Sequence, residues 1–251
     1  MAWSNLTPFA GLLSNGQPHT VALSVFNDDS YFSVTASLLL FLDSGSKQVT
    51  GALTKNTLTG PTPVVTENLQ GTSTVTGTIN VASNRNFTIA GYVNTSHGTV
   101  RTSVSQRQNF SGTQTIDFDT VNGTVFDQTT NVETSVSSAT SVSTDDGTVV
   151  TRDNYSFPIT VDFTFPVSSS PFGFTVATTQ HYHTGNQISQ DGHLIHSTSV
   201  TNSVSATDVS PRASSQKYTI SDSDDVLYNC HIASANNTLT SVGRGCRRDE
   251  P

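Results

Sequence analysis

The sequence predicts an all-β protein, an antiparallel β-sandwich or jelly-roll type with a long meander of hairpins. Three observations carry that reading. Apolar residues make up 33% and charged residues 12% of the 251 positions, and Ser, Thr, Asn and Val fill the difference, a composition that favours strands over helices. Asn122-Gly123, Asp146-Gly147 and Asp191-Gly192 each sit between alternating residues, the strongest short-range hairpin signal. No segment sustains a helical period, whereas alternation recurs. Ile116 and Phe118 alternate with Asp117 and Asp119. Val132, Val136 and Val142 share one face opposite Ser, Ala and Glu. Val161, Phe163 and Phe165 alternate with Asp162 and Thr164, and Phe172, Phe174 and Val176 repeat the pattern. Hairpins that are half apolar and half polar form antiparallel sheets, with one face packed against another sheet.

Taken in order, the chain opens with a capped turn and a tight loop at Asn15-Gly16, two residues that tolerate positive φ. A strand follows over 20–26. A second runs from Tyr31 into Leu38, Leu39, Leu40, Phe41 and Leu42. A run apolar on both faces belongs to a strand covered on both sides, so this one is expected at the centre of the core. Asp43-Ser44-Gly45 ends it. Two short strands are expected at about 47–59 and 62–69, separated by Gly60-Pro61-Thr62-Pro63, and Pro63 marks an edge strand. The change of texture near residue 70 divides the chain into a β-sandwich portion at 1–70 and a C-terminal antiparallel sandwich at 71–251.

Charge excludes some functions. The net charge is −8 with eleven basic residues, a poor basis for nucleic-acid binding, where a basic patch supplies most of the affinity. No apolar run reaches the roughly 18 residues of a membrane helix, and no membrane partner is expected. The start, MAWSNLTP, lacks the basic and apolar regions of a signal peptide. Other features point to the secretory pathway. Seven Asn-x-Ser/Thr sequons occur, at Asn5, Asn86, Asn94, Asn109, Asn122, Asn154 and Asn236, each a candidate glycosylation site. Cys230 and Cys246 are the only cysteines. They lie in a loop-rich terminus and read as a disulfide; the chain-entropy estimate for a loop of about 15 residues is roughly 3 kcal/mol. A secreted protein without a leader reads as a truncated copy or an incomplete gene model.

Several stretches carry a family resemblance. Asn5-Leu6-Thr7-Pro8-Phe9, Leu12-Leu13, Asn15-Gly16-Gln17-Pro18-His19-Thr20 and Leu38-Leu39-Leu40-Phe41-Leu42-Asp43 follow one another in order, and Ile89-Ala90-Gly91-Tyr92-Val93-Asn94-Thr95-Ser96-His97-Gly98-Thr99-Val100 comes later. Together they resemble the C-terminal half of the peptide-N-glycosidase A family. The family's N-terminal half has no counterpart here, and that missing half is an implied partner. The resemblance implies an amidase that cleaves the side-chain amide of a glycosylated asparagine, leaving Asp and releasing the N-glycan as a glycosylamine. Its substrate would be an N-glycopeptide or glycoprotein, with no metal or other cofactor. Two departures stand out. Tyr31 or Phe32 occupies the place of the family's Trp, weakening any sugar stacking there, and Ser4-Asn5 replaces an Asp.

Amide hydrolysis needs an activated water, a proton for the leaving nitrogen and donors for the oxyanion. The carboxylates are sixteen Asp and three Glu. Asp28, Asp29 and Asp43 lie at strand ends in the matched stretch, and His19 follows its turn. Each also has an ordinary structural reading: polar turn, strand terminator or packed imidazole. Asp28, Asp43 and His19 are the catalytic candidates, with Tyr31 and Phe32 for substrate binding. Asp117 and Asp119 read as solvent-facing charges. His181, His183, His193 and His196 invite a metal reading. Pairing across an Asp191-Gly192 turn sets Gln187 opposite His196 and His183 opposite Val200, and it sends His193 and His196 to opposite faces. The four do not converge, and no metal site is predicted. The alternative function is a non-catalytic secreted β-sandwich module that binds glycans or serves as structure.

Overall fold

The computed structural model describes residues 5–22, 37–119, 125–166, 175–208 and 212–246. Twelve antiparallel strands form one continuous sheet: β1 Thr50–Asn56, β2 Val64–Gln70, β3 Thr74–Thr95, β4 Gly98–Asp119, β5 Val125–Thr144, β6 Gly147–Ser156, β7 Ile159–Pro166, β8 Thr175–Gln190, β9 His193–Thr207, β10 Ala213–Asp222, β11 Leu227–Ala235 and β12 Thr238–Val242. β1 and β2 lie end to end along β3, and β6 and β7 lie end to end between β5 and β8. The sheet is therefore an up-and-down meander in which each hairpin pairs with the next. At 22 residues each, β3 and β4 extend about 70 Å. β1 and β2, which precede residue 70, hydrogen-bond to β3, so one sheet crosses that position. Pro63 stands just ahead of β2, an edge strand exposed along its whole length.

Turn chemistry sets the registers. Asp191 (φ 48°) and Gly192 (φ 85°) are both left-handed, as a two-residue type I′ turn requires, and Gln190 pairs with His193. Asn236 and Asn237 repeat the device between β11 and β12. The β5–β6 turn sits one residue earlier than predicted. Asp145 and Asp146 form its tip, and Gly147 pairs with Thr144. Asn122-Gly123 lies outside the described residues, although the flanking pair Phe118 and Phe126 are register partners.

Register also sorts the side chains. Directly opposed residues share a face, and following the pairs across the sheet yields two unlike surfaces. One bears Val81, Phe87, Ile89 and Val93 of β3, Val104 and Phe110 of β4, Val132 and Val136 of β5, Tyr155 of β6, Tyr182 of β8, Val200 of β9 and Tyr218 of β10. The other bears mainly Ser, Thr and Asn, with Arg101, Arg107, Asp117, Glu133, Arg152 and Lys217 among them. The first is the apolar face, the second the polar face. The alternation predicted for Val132, Val136 and Val142 holds, and Asp117 is exposed on the polar face.

The most buried part of the apolar face lies at the β3–β4 hairpin end. Phe87, Ile89, Val93 and Val104 are each under 9% exposed. A 3₁₀ turn over Thr7–Phe9 and the short α1 Ala10–Leu13 lie against β1 and β3. Pro8 is fully buried, and a Cβ on Gly91 would collide with its carbonyl. Glycine is thus what lets the turn approach the strand.

One expectation fails here. Leu38–Leu42 is not a strand and is not buried; Phe41 is 96% exposed. The edge of β3 that such a strand would need is taken by β1 and β2. A run apolar on both faces also needs a layer on each side. Among the described residues, extended strand contacts run only between hydrogen-bonded neighbours, within the one sheet.

Candidate functional site

The β3–β4 turn, Ser96-His97, brings the resembling segments together. Asp43 reaches it from 53 residues away. Its Oδ2 accepts the Ser96 N–H at 2.6 Å, and its Oδ1 accepts the Ser96 hydroxyl at 2.5 Å and the Gly45 N–H at 3.0 Å. The Gly45 bond is the local turn by which Asp ends an extended segment. Gly45 packs so closely on Ser96 that a Cβ would strike its hydroxyl. Ser96 Oγ also lies 3.0 Å from His97 Nδ1. With the Ser96 proton directed at the carboxylate, its oxygen accepts from Nδ1–H, which leaves Nε2 of the exposed His97 on the solvent side.

The electrostatics follow from these bonds. The Ser96 hydroxyl, then the Ser96 N–H, the Gly45 N–H and the nearby His97 hold the Asp43 carboxyl below its ordinary value of 3.8, against a smaller desolvation effect. Hydrogen bonds to the charged form produce this direction. The shift favours the ionised, accepting form of Asp43 over the proton-donating one. The arrangement is not a Ser-His-Asp triad, because the hydroxyl sits between carboxylate and imidazole and the acid does not orient the base.

The other candidates divide. His19 is exposed, and its Nε2 lies 2.9 Å from Asn15 Oδ1, which also accepts the Gln17 N–H. It therefore braces its own loop. Asp28, Asp29, Tyr31 and Phe32 lie outside the described residues, as does Asn122. Asn86, Asn94 and Asn154 are exposed in strands and Asn109 is half-buried; Asn5 lies beside the N-terminal turn and Asn236 at a turn tip. Cys230 and Cys246 are disulfide-bonded. Among the described residues, no helix is long and apolar enough to cross a membrane.

The histidines are placed differently from the predicted pairing. A bulge near Ile195 sets Ile188 opposite His196 and Thr201 opposite His183, and it returns His193 and His196 to one face. Among the described residues, no three His, Cys, Asp or Glu gather to hold a metal ion. His181 bonds Ser203 at 3.0 Å. His196 sits in a chain that sequence reading missed: Asp224 Oδ2 is 3.4 Å from its Nδ1 and Thr198 Oγ1 is 2.9 Å from its Nε2. That order is triad-like, but Asp224 is 71% exposed and Ser223 also meets Nδ1 at 3.3 Å. The exposed acid and shared nitrogen leave the imidazole poorly oriented. Ser96 and His97 were legible in sequence only as part of a matched segment; their approach to Asp43 depends on the fold.

Two shallow cavities, of about 150 and 360 Å³, open along the strands of the polar face. The larger is lined by Asn84, Asn109, Ser111, Glu133 and Ser135 among others. Comparison of the chain with family models, with curated proteins and with solved structures finds no match.

Proposed function

We propose that the chain acts in deglycosylation as an amidase of the peptide-N-glycosidase A type, hydrolysing the side-chain amide of glycosylated asparagine. One observation supports this reading above the rest. Segments that carry the resemblance, far apart in sequence, meet around one end of β3: Pro8 under Gly91, and Asp43 on Ser96. In this reading the carboxylate of Asp43, whose ionised form its hydrogen bonds favour, uses its remaining acceptor capacity to hold and polarise a water. The carboxylate takes a proton from that water as its oxygen attacks the amide carbon, and the carbon–nitrogen bond breaks. His97 passes a proton to the leaving glycosylamine nitrogen, and the proton taken up at Asp43 replaces it. The test is incubation with a small N-glycopeptide at acid pH, read by mass spectrometry for Asn-to-Asp conversion with glycan loss. Conversion is expected, and Asp43→Asn and His97→Gln each lower it at least tenfold. No conversion by a folded, monodisperse sample sinks the amidase reading.

A second reading, a glycan-binding module without chemistry, is favoured by the cavities on the polar face. Sugar hydroxyls pair with amide and carboxylate side chains such as Asn84 and Glu133, and an open groove suits a chain-like ligand. Glycopeptide retention without conversion, weakened by Glu133→Gln, would select it.

A further inference from the structure

We propose that Asn15 is a self-modifying site, where the Gly16 amide nitrogen attacks the Asn15 side chain and converts it to an acid. An Asn-Gly pair is the least hindered for such an attack, because glycine carries no side chain beside the nitrogen. The loop adds to this. Asn15 and Gly16 are exposed, and Gly16 stands at φ 76° with nothing within 4 Å of where a Cβ would lie. Two donors converge on one atom: the Gln17 N–H and His19 Nε2 each lie 2.9 Å from Asn15 Oδ1. The backbone N–H of Gln17 fixes Oδ1 as the acceptor, so His19 presents its Nε2–H. Among the described residues, the Gly16 N–H donates to no backbone carbonyl and is free to react. The loop is also held from outside, because the Ser14 carbonyl accepts Gln48 Nε2 at 2.5 Å.

The chemistry follows from that placement. As the Gly16 nitrogen bonds to Asn15 Cγ it gives its proton to water, and the carbonyl electron pair moves onto Oδ1. That oxygen already faces two N–H groups, the arrangement that stabilises an oxyanion. When the pair returns, the bond from Cγ to the amide nitrogen breaks. The nitrogen takes a proton from water and leaves as ammonia. Water then opens the cyclic imide at either carbonyl, giving aspartate or isoaspartate at position 15. Either product adds a negative charge beside His19, and isoaspartate also lengthens the main chain by one carbon. The reaction does not rest on the amidase reading, which uses Asp43 and His97.

The test is storage of the full chain at neutral pH and body temperature, with peptide mapping by mass spectrometry for ammonia loss and for acid at position 15. Acid is expected to accumulate there. His19→Ala is expected to slow it about fivefold, less than the roughly hundredfold of an enclosed oxyanion hole because this site is exposed. His19→Gln, which keeps an N–H donor, is expected to recover part of that rate. In urea, where the loop is lost, wild type and His19→Ala are expected to react alike. Should His19→Ala not fold, wild type itself decides, since it is expected to react faster folded than in urea. No acid at position 15, equal rates where a difference is expected, or a difference between wild type and His19→Ala that persists in urea overturns the proposal.

Discussion

Leu38–Leu42 and Phe87–Val93 are both rich in apolar residues, and they finish in opposite environments. Phe41 is 96% exposed and Ile89 is 7% exposed. The difference is pattern. In β3 the residues Phe87, Ile89, Gly91 and Val93 alternate with Thr88, Ala90, Tyr92 and Asn94, so one face takes the apolar set and the other stays wet. β3 also has hydrogen-bonding neighbours on both edges. The leucine run has side chains for two faces, and among the described residues the sheet is a single layer. Apolar content alone does not place a segment in a core; a face and a free edge do.

Truncation breaks the comparison most directly. Ile89→Ala is expected to cost about 2–5 kcal/mol, the range for large-to-small changes at buried sites, measured by urea unfolding. A loss under about 1 kcal/mol would mean that the β3 face is not the core. Asp43 offers a smaller, pH-dependent effect, because it ties the exposed segment to the β3–β4 turn. Its folded pKa lies below its unfolded value, so the stabilisation is present above the unfolded pKa and lost as pH falls through the folded one. Asp43→Asn is therefore expected to be less stable than wild type near neutral pH and to converge with it in strong acid. A gap that widens on acidification would contradict the direction of the shift. Leu40→Ser is expected to have the least effect on stability, within about 0.5 kcal/mol, as for exposed positions without special contacts. A loss like that of Ile89→Ala would show that the run is covered after all.

Much of the fold is legible in the sequence because its determinants are local. Alternation over β5 and β7 assigns their faces, and Asp191-Gly192 supplies the left-handed pair that a two-residue hairpin turn requires. The Asp145-Asp146 tip lies one residue before the predicted turn, because Gly147 opens the next strand with φ 131°. The bulge near Ile195 left no mark in the pattern, since Leu194, Ile195 and His196 fit either register, and the histidine faces were misassigned with it.

The candidate site was less readable, for a different reason. Asp43 was visible as a strand terminator and Ser96-His97 as part of a matched segment, but no spacing rule links residues 53 apart. Their meeting depends on the Thr7–Leu13 turn packing over Gly51 and Gly91, and on Gly45 clearing Ser96. The sequence by itself determined the strands, most turns and which residues share a face, because period-two alternation and left-handed turn residues act over a few positions. Only the tertiary structure decided which apolar run is buried, where the register slips and which carboxylate meets which hairpin, because those outcomes depend on competition for sheet edges between segments far apart in the chain.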